Sequence, residues 1–538
     1  MKRLRAAALG CVSRTTLLVI GRGCALLVLL FVFALAFARP AAATISYTIS
    51  LDHPDEHLFH VTMSIPVDGS EVTTAMPAWN ALYQIRDFAE RVRDVTAICA
   101  SLTAVPLEVR KIDKQDWDIS LTQACAPGEH NTFIVRYSIL WDEPGPFDSQ
   151  LDAHHAFLNL AEILMYVPAR RGEDVSLRLQ NLPAVWQSAS ALATAGEPNA
   201  YIAASYDALV DAPVEVGSFE EFNFTSDGAP IHVVLEGKGS NEVRLQDYLP
   251  RITNYELQLM GGAPFDSPDH GYTFIFDIGP AVDVGGGGME HRNSSAISAG
   301  SPEEATAIAA HEFFHAWNVK RIRPQSLEPV DYSREQYTRA LWFAEGVTNT
   351  YEDYALERTG LWTKEQFYRQ LSGQIDTLQA RPARLWQSAE ESSLDAWFEG
   401  FPDYGDPERS ISYYNKGEIL GVLLDLAIRD ATDDRKSLDD VMRRMNEEYA
   451  KQGKFYDDSE GVRRVIEEVA GKSFQDFFAK YVSGTAEIPY KEFLSIAGLT
   501  LTPVTAGKDA PTYAVSQIPH PSERQQRILD GLLHGTTN

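Results

Sequence analysis

Residues 311–315 read His-Glu-Phe-Phe-His, and no other stretch narrows the possible folds as much. Residues four apart on a helix lie one above the other, so His311 and His315 present two imidazoles to one point, with Glu312 one step around the barrel. Such a pair suits a zinc ion that takes a third ligand from elsewhere in the chain. The pattern needs a helix, and the preceding residues supply its start: Ser301 as N-cap, Pro302 at the first helical position and Glu304 at the third, a capping box. The expected helix runs from about Pro302 to Val319.

A catalytic zinc keeps three protein ligands and leaves its fourth position to water, whereas structural sites are usually closed by four. The stretch Leu341-Trp342-Phe343-Ala344-Glu345-Gly346 sets a glutamate in apolar surroundings 30 positions after His315. Zinc would relieve the cost of burying that carboxylate. Glu328, Asp331, Glu335 and Glu352 compete with Glu345 on distance along the chain. Two histidines and one carboxylate, three ligands and not four, favour a catalytic site, with one Zn2+ per chain.

Around this helix the pattern divides. From Thr44 to about Leu235 apolar residues alternate, as in Phe59, Val61, Met63, Ile65 and Phe133, Val135, Tyr137, Ile139, Trp141. Alternation broken by Pro, Gly and Asp predicts an N-terminal antiparallel β-sandwich over 44–240, with Met76-Pro77-Ala78-Trp79 in its core. A strand is expected at Tyr272–Ile278, then a glycine turn at Gly285–Gly288, whose bare backbone lets a substrate pair along the edge of that strand. Cap pairs Ser333/Gln336, Thr363/Gln366, Ser437/Asp440 and Ser473/Asp476 make the rest α-rich. The expected division is a zinc-bearing domain at 241–372, a helical region at 373–500 and a docked tail at 501–538, an α+β multidomain chain.

Residues 1–43 carry a basic segment, an apolar run from Cys24 to Phe37 and then Ala41-Ala42-Ala43, the layout of a cleavable export signal. The expected location is periplasmic or secreted, with no stable membrane partner after cleavage. Removing six basic and no acidic residues takes the formal charge from −28 to −34, which argues against a nucleic-acid partner. In an oxidising compartment the remaining cysteines, Cys99 and Cys125, are expected to form a disulfide.

Four ordered stretches carry a resemblance. His311 to Pro324, His-Glu-Phe-Phe-His-Ala-Trp-Asn-Val-Lys-Arg-Ile-Arg-Pro, resembles the signature of the glycyl aminopeptidase family of zinc metallopeptidases. Gly287-Gly288-Met289-Glu290-His291, Trp342-Phe343-Ala344-Glu345-Gly346 and Tyr413-Tyr414-Asn415-Lys416-Gly417 resemble motifs shared with the larger aminopeptidase N family. Similarity runs from the Trp79 region to about Leu501. It implies a β-sandwich, a thermolysin-like zinc domain and a helical region. It also implies that His311, His315 and Glu345 are zinc ligands, Glu312 the general base and Tyr414 the oxyanion donor. Glu290 would receive the substrate's ammonium beside Gly287, Gly288 and Met289. The implied activity is removal of small first residues, glycine and alanine, from peptides with a free N-terminus. A zinc endopeptidase and a peptide-binding protein with a vestigial metal site are the alternatives. Two departures stand out: His291 replaces the asparagine usual after Met-Glu, and the PDZ domain frequent in the family is not expected in the 37 residues after Leu501.

Overall fold

The computed structural model describes residues 44–535 apart from 68, 81, 101–103, 122–130, 237–240, 266–270, 280–285, 399–404 and 505–511. The expected signal at 1–43, Cys125 and Gly285 lie outside the described residues. Cys99 is buried and disulfide-bonded.

Alternating apolar residues do what their period dictates in the N-terminal half. An eight-stranded sheet runs in the order Ala193–Thr194, Ala200–Ala203, Val175–Gln180, Ile45–Ser50, Leu58–Val67, Asn131–Leu140, Val92–Ala100 and Val105–Pro106. Smaller sheets of four and three strands lie against it. Inward residues of all three, among them Ile49, Val61, Val135, Trp117 and Val216, fill one core. Among the described residues the sandwich is antiparallel with one exception: Ile45–Ser50 pairs in parallel with Val175–Gln180. Met76, Ala78 and Trp79 are buried, and the Trp79 indole donates to Asp331 O at 2.7 Å, tying the sandwich to the second half.

Sheet pairing moves the expected boundary at 240. Glu220–Ser226 pairs with Ala229–Glu236, which runs parallel to Tyr272–Ile278, so both strands belong to the second sheet. Alternation marks a half-buried strand and says nothing of which sheet receives it. That sheet is completed by Ser294–Ala299 and, at its edge, Gly287–Glu290. Tyr272–Ile278 has neighbours on both sides, so the free edge belongs to the glycine segment itself and not to the strand before it.

The second sheet, the histidine helix and the helical region share a main hydrophobic core from Ala229 to Leu533, which also takes in Tyr83, with smaller clusters beside it. The tail is built into it: Leu499–Val504 and Thr512–Gln517 form a hairpin, and Glu523–His534 buries Ile528, Leu529, Leu532 and Leu533. Thr363 and Gln366 form the expected capping box. Ser333 and Gln336 do not start a helix. Asp331 Oδ1 accepts from Ser333 N–H at 3.0 Å and from its hydroxyl at 2.6 Å, a local turn that competes with helix nucleation. Ser473 likewise sits outside the short helix Gln475–Phe477, which Phe474 precedes.

Candidate active site

The histidine helix spans Pro302–Phe314, with Ser301 Oγ accepting from Glu304 N–H at 3.2 Å. Glu304 turns back to Gly300 N–H at 3.0 Å instead of closing the expected box on Ser301. The helix also ends five residues before Val319, because Ala316 and Trp317 N–H bond three residues back and tighten the last turn. His315 therefore sits at the C-cap, and the chain leaves the helix directly after it.

Glu345 lies in a π-helical turn, Trp342–Gly346, that runs into the helix Val347–Arg358. The extra residue in that turn aims the carboxylate at the histidines. Glu345 Oε2 lies 3.5 Å from His311 Nε2 and 3.2 Å from His315 Nε2, and the two Nε2 atoms are 2.9 Å apart. Asn318 fixes the arrangement. Its carbonyl accepts from His315 Nδ1, and its amide donates to Phe343 O at 3.0 Å and Thr348 Oγ1 at 3.1 Å. Glu352 Oε2 stands 3.7 Å from His311 Nδ1 on the far side of that ring.

These donors fit a zinc ion. With Nδ1 of His315 donating to a carbonyl, a neutral His315 ring turns its Nε2 lone pair toward His311 Nε2 and Glu345, the orientation a metal ligand needs. His311 and His315 Nε2 and a Glu345 oxygen all lie within 4.8 Å of one another. Without a metal the charge is shared unevenly. Burial disfavours a proton on His315, but Glu345, Glu290 and Glu312 outweigh it and hold the imidazole up at about 10. Burial, with His315 beside it, pushes His311 down. Burial would raise Glu345, but His315 and His311 hold it well below the usual carboxylate range.

Glu312 is buried beside the ligands, and its Oε2 has no hydrogen-bond partner. Burial pushes its carboxyl far up, against the pull of His315. It lies over the glycine segment so closely that a Cβ on Gly288 would be 2.6 Å from its Cδ. Tyr414, in the first turn of the helix Tyr413–Thr432, places its ring centroid 6.3 Å from that of His311, while Tyr413 is buried and stacks behind it at 4.8 Å. Glu290 is half-buried at the end of the edge strand. One cavity of about 50 Å3 is lined by Gly288, Met289, Glu290, Glu312, Glu345 and Tyr414 together with the two histidines. Gly287 belongs to the same edge strand but packs against Phe147.

A second cavity of about 400 Å3 opens beyond Tyr83, Met289 and Glu290, between the sandwich and the second half. Three of its acids meet a cation: Asp207 with Arg171, Asp211 with Lys320 at 2.8 Å, and Glu328 with Arg323. Glu290 makes no ion pair among the described residues.

Sequence reasoning named Glu352 only as a rival third ligand and gave no role to Asn318, Tyr83 or Phe147. Asn318 was findable as a lone amide three residues after a metal histidine. Phe147, from a loop of the sandwich, leaves no local signal.

The chain matches the M61 glycyl aminopeptidase model over residues 304–420 and the peptidase M61 N-terminal domain model over 46–218, together more than half its length. Among solved structures it resembles an aminopeptidase N family protein from Idiomarina loihiensis, at 26% identity and a TM-score of 0.78, covering 86% of this chain and 79% of that one. It also resembles a point variant of an M1 zinc metallopeptidase from Deinococcus radiodurans, at 13% identity and a TM-score of 0.52, covering 83% and 95%. At that identity the second likeness shows the fold alone. No match is found among curated proteins. Because one match holds the sandwich and the other holds both histidines, Glu345 and Tyr414, the chain belongs to the M61 glycyl aminopeptidase family and is a peptidase.

Proposed function

We propose that the protein is an exported, zinc-dependent aminopeptidase that removes glycine or alanine from the free N-terminus of peptides. The observation that carries this reading is Glu290: of the acids lining the larger cavity it makes no ion pair with Lys or Arg among the described residues, and it lines the same small cavity as His311, His315, Glu345 and Glu312. A substrate ammonium seated on Glu290 puts the first peptide bond, and no later one, beside the metal.

Zinc held by His311, His315 and Glu345 would lower the pKa of a water toward about 7 and polarise the scissile carbonyl. Glu312 would accept the proton of the attacking water, and its buried, partnerless Oε2 suits a base with no competing hydrogen bond. The Tyr414 hydroxyl donates to the oxygen on which negative charge develops. Gly287 and Gly288 offer main-chain groups at a free sheet edge, where an extended substrate can pair as an added strand. A cavity of about 50 Å3 around this point supports short first side chains.

The 400 Å3 cavity behind Glu290 favours a second reading, a zinc endopeptidase whose upstream residues would fill it. The test is a set of glycyl, alanyl and leucyl fluorogenic amides, free and N-acetylated, with and without a chelator, on wild type and Glu290→Ala. The aminopeptidase reading expects chelator-sensitive cleavage of the free amides. It also expects a loss of roughly 30-fold or more in kcat/KM for Glu290→Ala, the cost of removing one partner of a desolvated ion pair. Equal wild-type cleavage of free and acetylated substrate would put the endopeptidase first.

A further inference from the structure

The Glu290 strand ends in a tight hairpin, and among the described residues its turn is held by side chains from the sandwich and from the segment directly after His315. His291 N–H bonds to Ser294 O at 2.9 Å and closes the turn. The His291 ring is buried and its Nδ1 lies 3.3 Å from Asp211 Oδ1. Asp211 caps the short sandwich helix Tyr206–Val210, so this contact crosses from one half of the molecule to the other. Lys320 Nζ donates to the same Asp211 oxygen at 2.8 Å. Beside it, Arg321 donates to Arg292 O and to Asn293 Oδ1, both at 2.7 Å. The short histidine helix makes this possible: leaving the helix at His315 brings Lys320 and Arg321 round to the hairpin.

We infer that Asp211, Lys320 and His291 are positioning residues that set the distance between the amine anchor Glu290 and the metal ligands, so that the sandwich takes part in fixing which peptide bond is cut. The inference rests on Glu290 being the amine anchor. One end of the relay is covalently next to Glu290, and the other is five residues from His315. Lys320 holds Asp211, Asp211 holds the His291 ring, and the ring holds the strand end. A charged bond between partly buried groups is strong enough to do this, since such bonds are about twice as strong as neutral ones. Burial would raise Asp211, but Lys320 and then His291 hold it far below the usual carboxylate range, so it stays an anion throughout the working pH range. His291 thus has a role where the related motif carries asparagine: an imidazole reaches Asp211 across the domain junction.

The experiment compares wild type with Asp211→Asn, Lys320→Met and Lys320→Arg on free and N-acetylated glycyl amide, recording KM, kcat, zinc content and thermal melting. Asp211→Asn and Lys320→Met should raise KM for the free amide by about tenfold, with kcat changed less than about threefold and zinc content unchanged. The preference for free over acetylated substrate should fall by the same factor, and Lys320→Arg should retain most of it. KM and the preference are both independent of the fraction of enzyme folded, so partial unfolding does not obscure them. Variants that keep the wild-type KM and preference would overturn the positioning role and leave Glu290 as the anchor. A wild-type enzyme without any preference would overturn the anchor and this inference together.

Discussion

Gly346 and Gly417 meet backbone to backbone. A Cβ on Gly417 would lie 2.8 Å from Gly346 Cα, and one on Gly346 would lie 2.7 Å from both Gly417 C and Tyr413 O. The first glycine follows Glu345 in the π turn, and the second lies one helical turn after Tyr413, so their contact sets how far Tyr414 stands from Glu345 and the two histidines. Neither glycine has positive φ, so the requirement is space alone.

Gly417→Ala is therefore expected to push the two helices apart. Overpacking of this kind costs about 1–3 kcal/mol, and the displaced Tyr414 should lower kcat by about tenfold or more. Thermal melting and steady-state kinetics on the zinc-loaded enzyme check this; an alanine variant with wild-type melting and turnover would show that the contact can open freely.

Glu312→Gln should keep zinc near stoichiometric while kcat falls by at least about 100-fold, the usual share of a general base. His311, His315 and Glu345 form a donor set without Glu312, whose carboxylate also comes within 4.8 Å of His315 and Glu290, so the metal should stay on the first set when the Glu312 charge goes. Metal analysis paired with single-turnover rates is the check, and full zinc with wild-type turnover would remove Glu312 from the mechanism.

The site was more legible in sequence than the architecture that holds it. The i, i+4 histidines and the N-cap at Ser301 are local facts, written in a few adjacent residues. Glu345 could be singled out from Glu328, Asp331, Glu335 and Glu352 only through the resemblance, because its aim depends on a π turn that spacing does not encode. Strands 220–236 joined the second sheet for a similar reason: pairing partners are chosen by tertiary contacts, which a period of two leaves open. The close passage of Gly346 past Gly417 is another such case, since a glycine marks a possible approach and never names its partner.

Tyr414 and Tyr413 are adjacent in sequence but differ in placement. Both line the small cavity, but Tyr413 is buried and stacks behind its neighbour, whereas the Tyr414 ring packs toward His311. Tyr414→Phe should lower kcat and kcat/KM together by about 10²–10³, as for a lost oxyanion donor, with KM little changed. Tyr413→Phe should act mainly on stability. The reverse pattern of kinetic loss would move the oxyanion role to Tyr413.

A last prediction concerns the junction of the two halves away from the metal. His155 and Glu215 come from the sandwich's four-stranded sheet, while Glu236 and Asp277 stand side by side in the second sheet. His155 Nδ1 lies 3.2 Å from Glu215 Oε1 and 3.7 Å from Glu236 Oε2, and its Nε2 is 3.2 Å from Gln150 Oε1. Burial works against a charged His155, but Glu215, then Glu236 and Asp152, outweigh it and hold the ring up at about 9. Burial raises Glu236 to about 7, with His155 opposing. A folded-state pKa above the unfolded value of about 6.5 means that the folded protein keeps its proton between those values, so the stabilisation is complete below about pH 6.5 and is lost as pH rises through about 9. Its size is about 3 kcal/mol at most. Glu236 acts in the same direction at lower pH, since it too holds a proton longer when folded. His155→Gln should therefore lower the melting temperature clearly at pH 6 and by much less at pH 10, with zinc content unaffected at pH 7. Denaturation of both proteins across that range decides it: a melting difference of the same size at pH 6 and pH 10 would mean that the His155 contact works by packing, with no contribution from the charge shared between the two sheets.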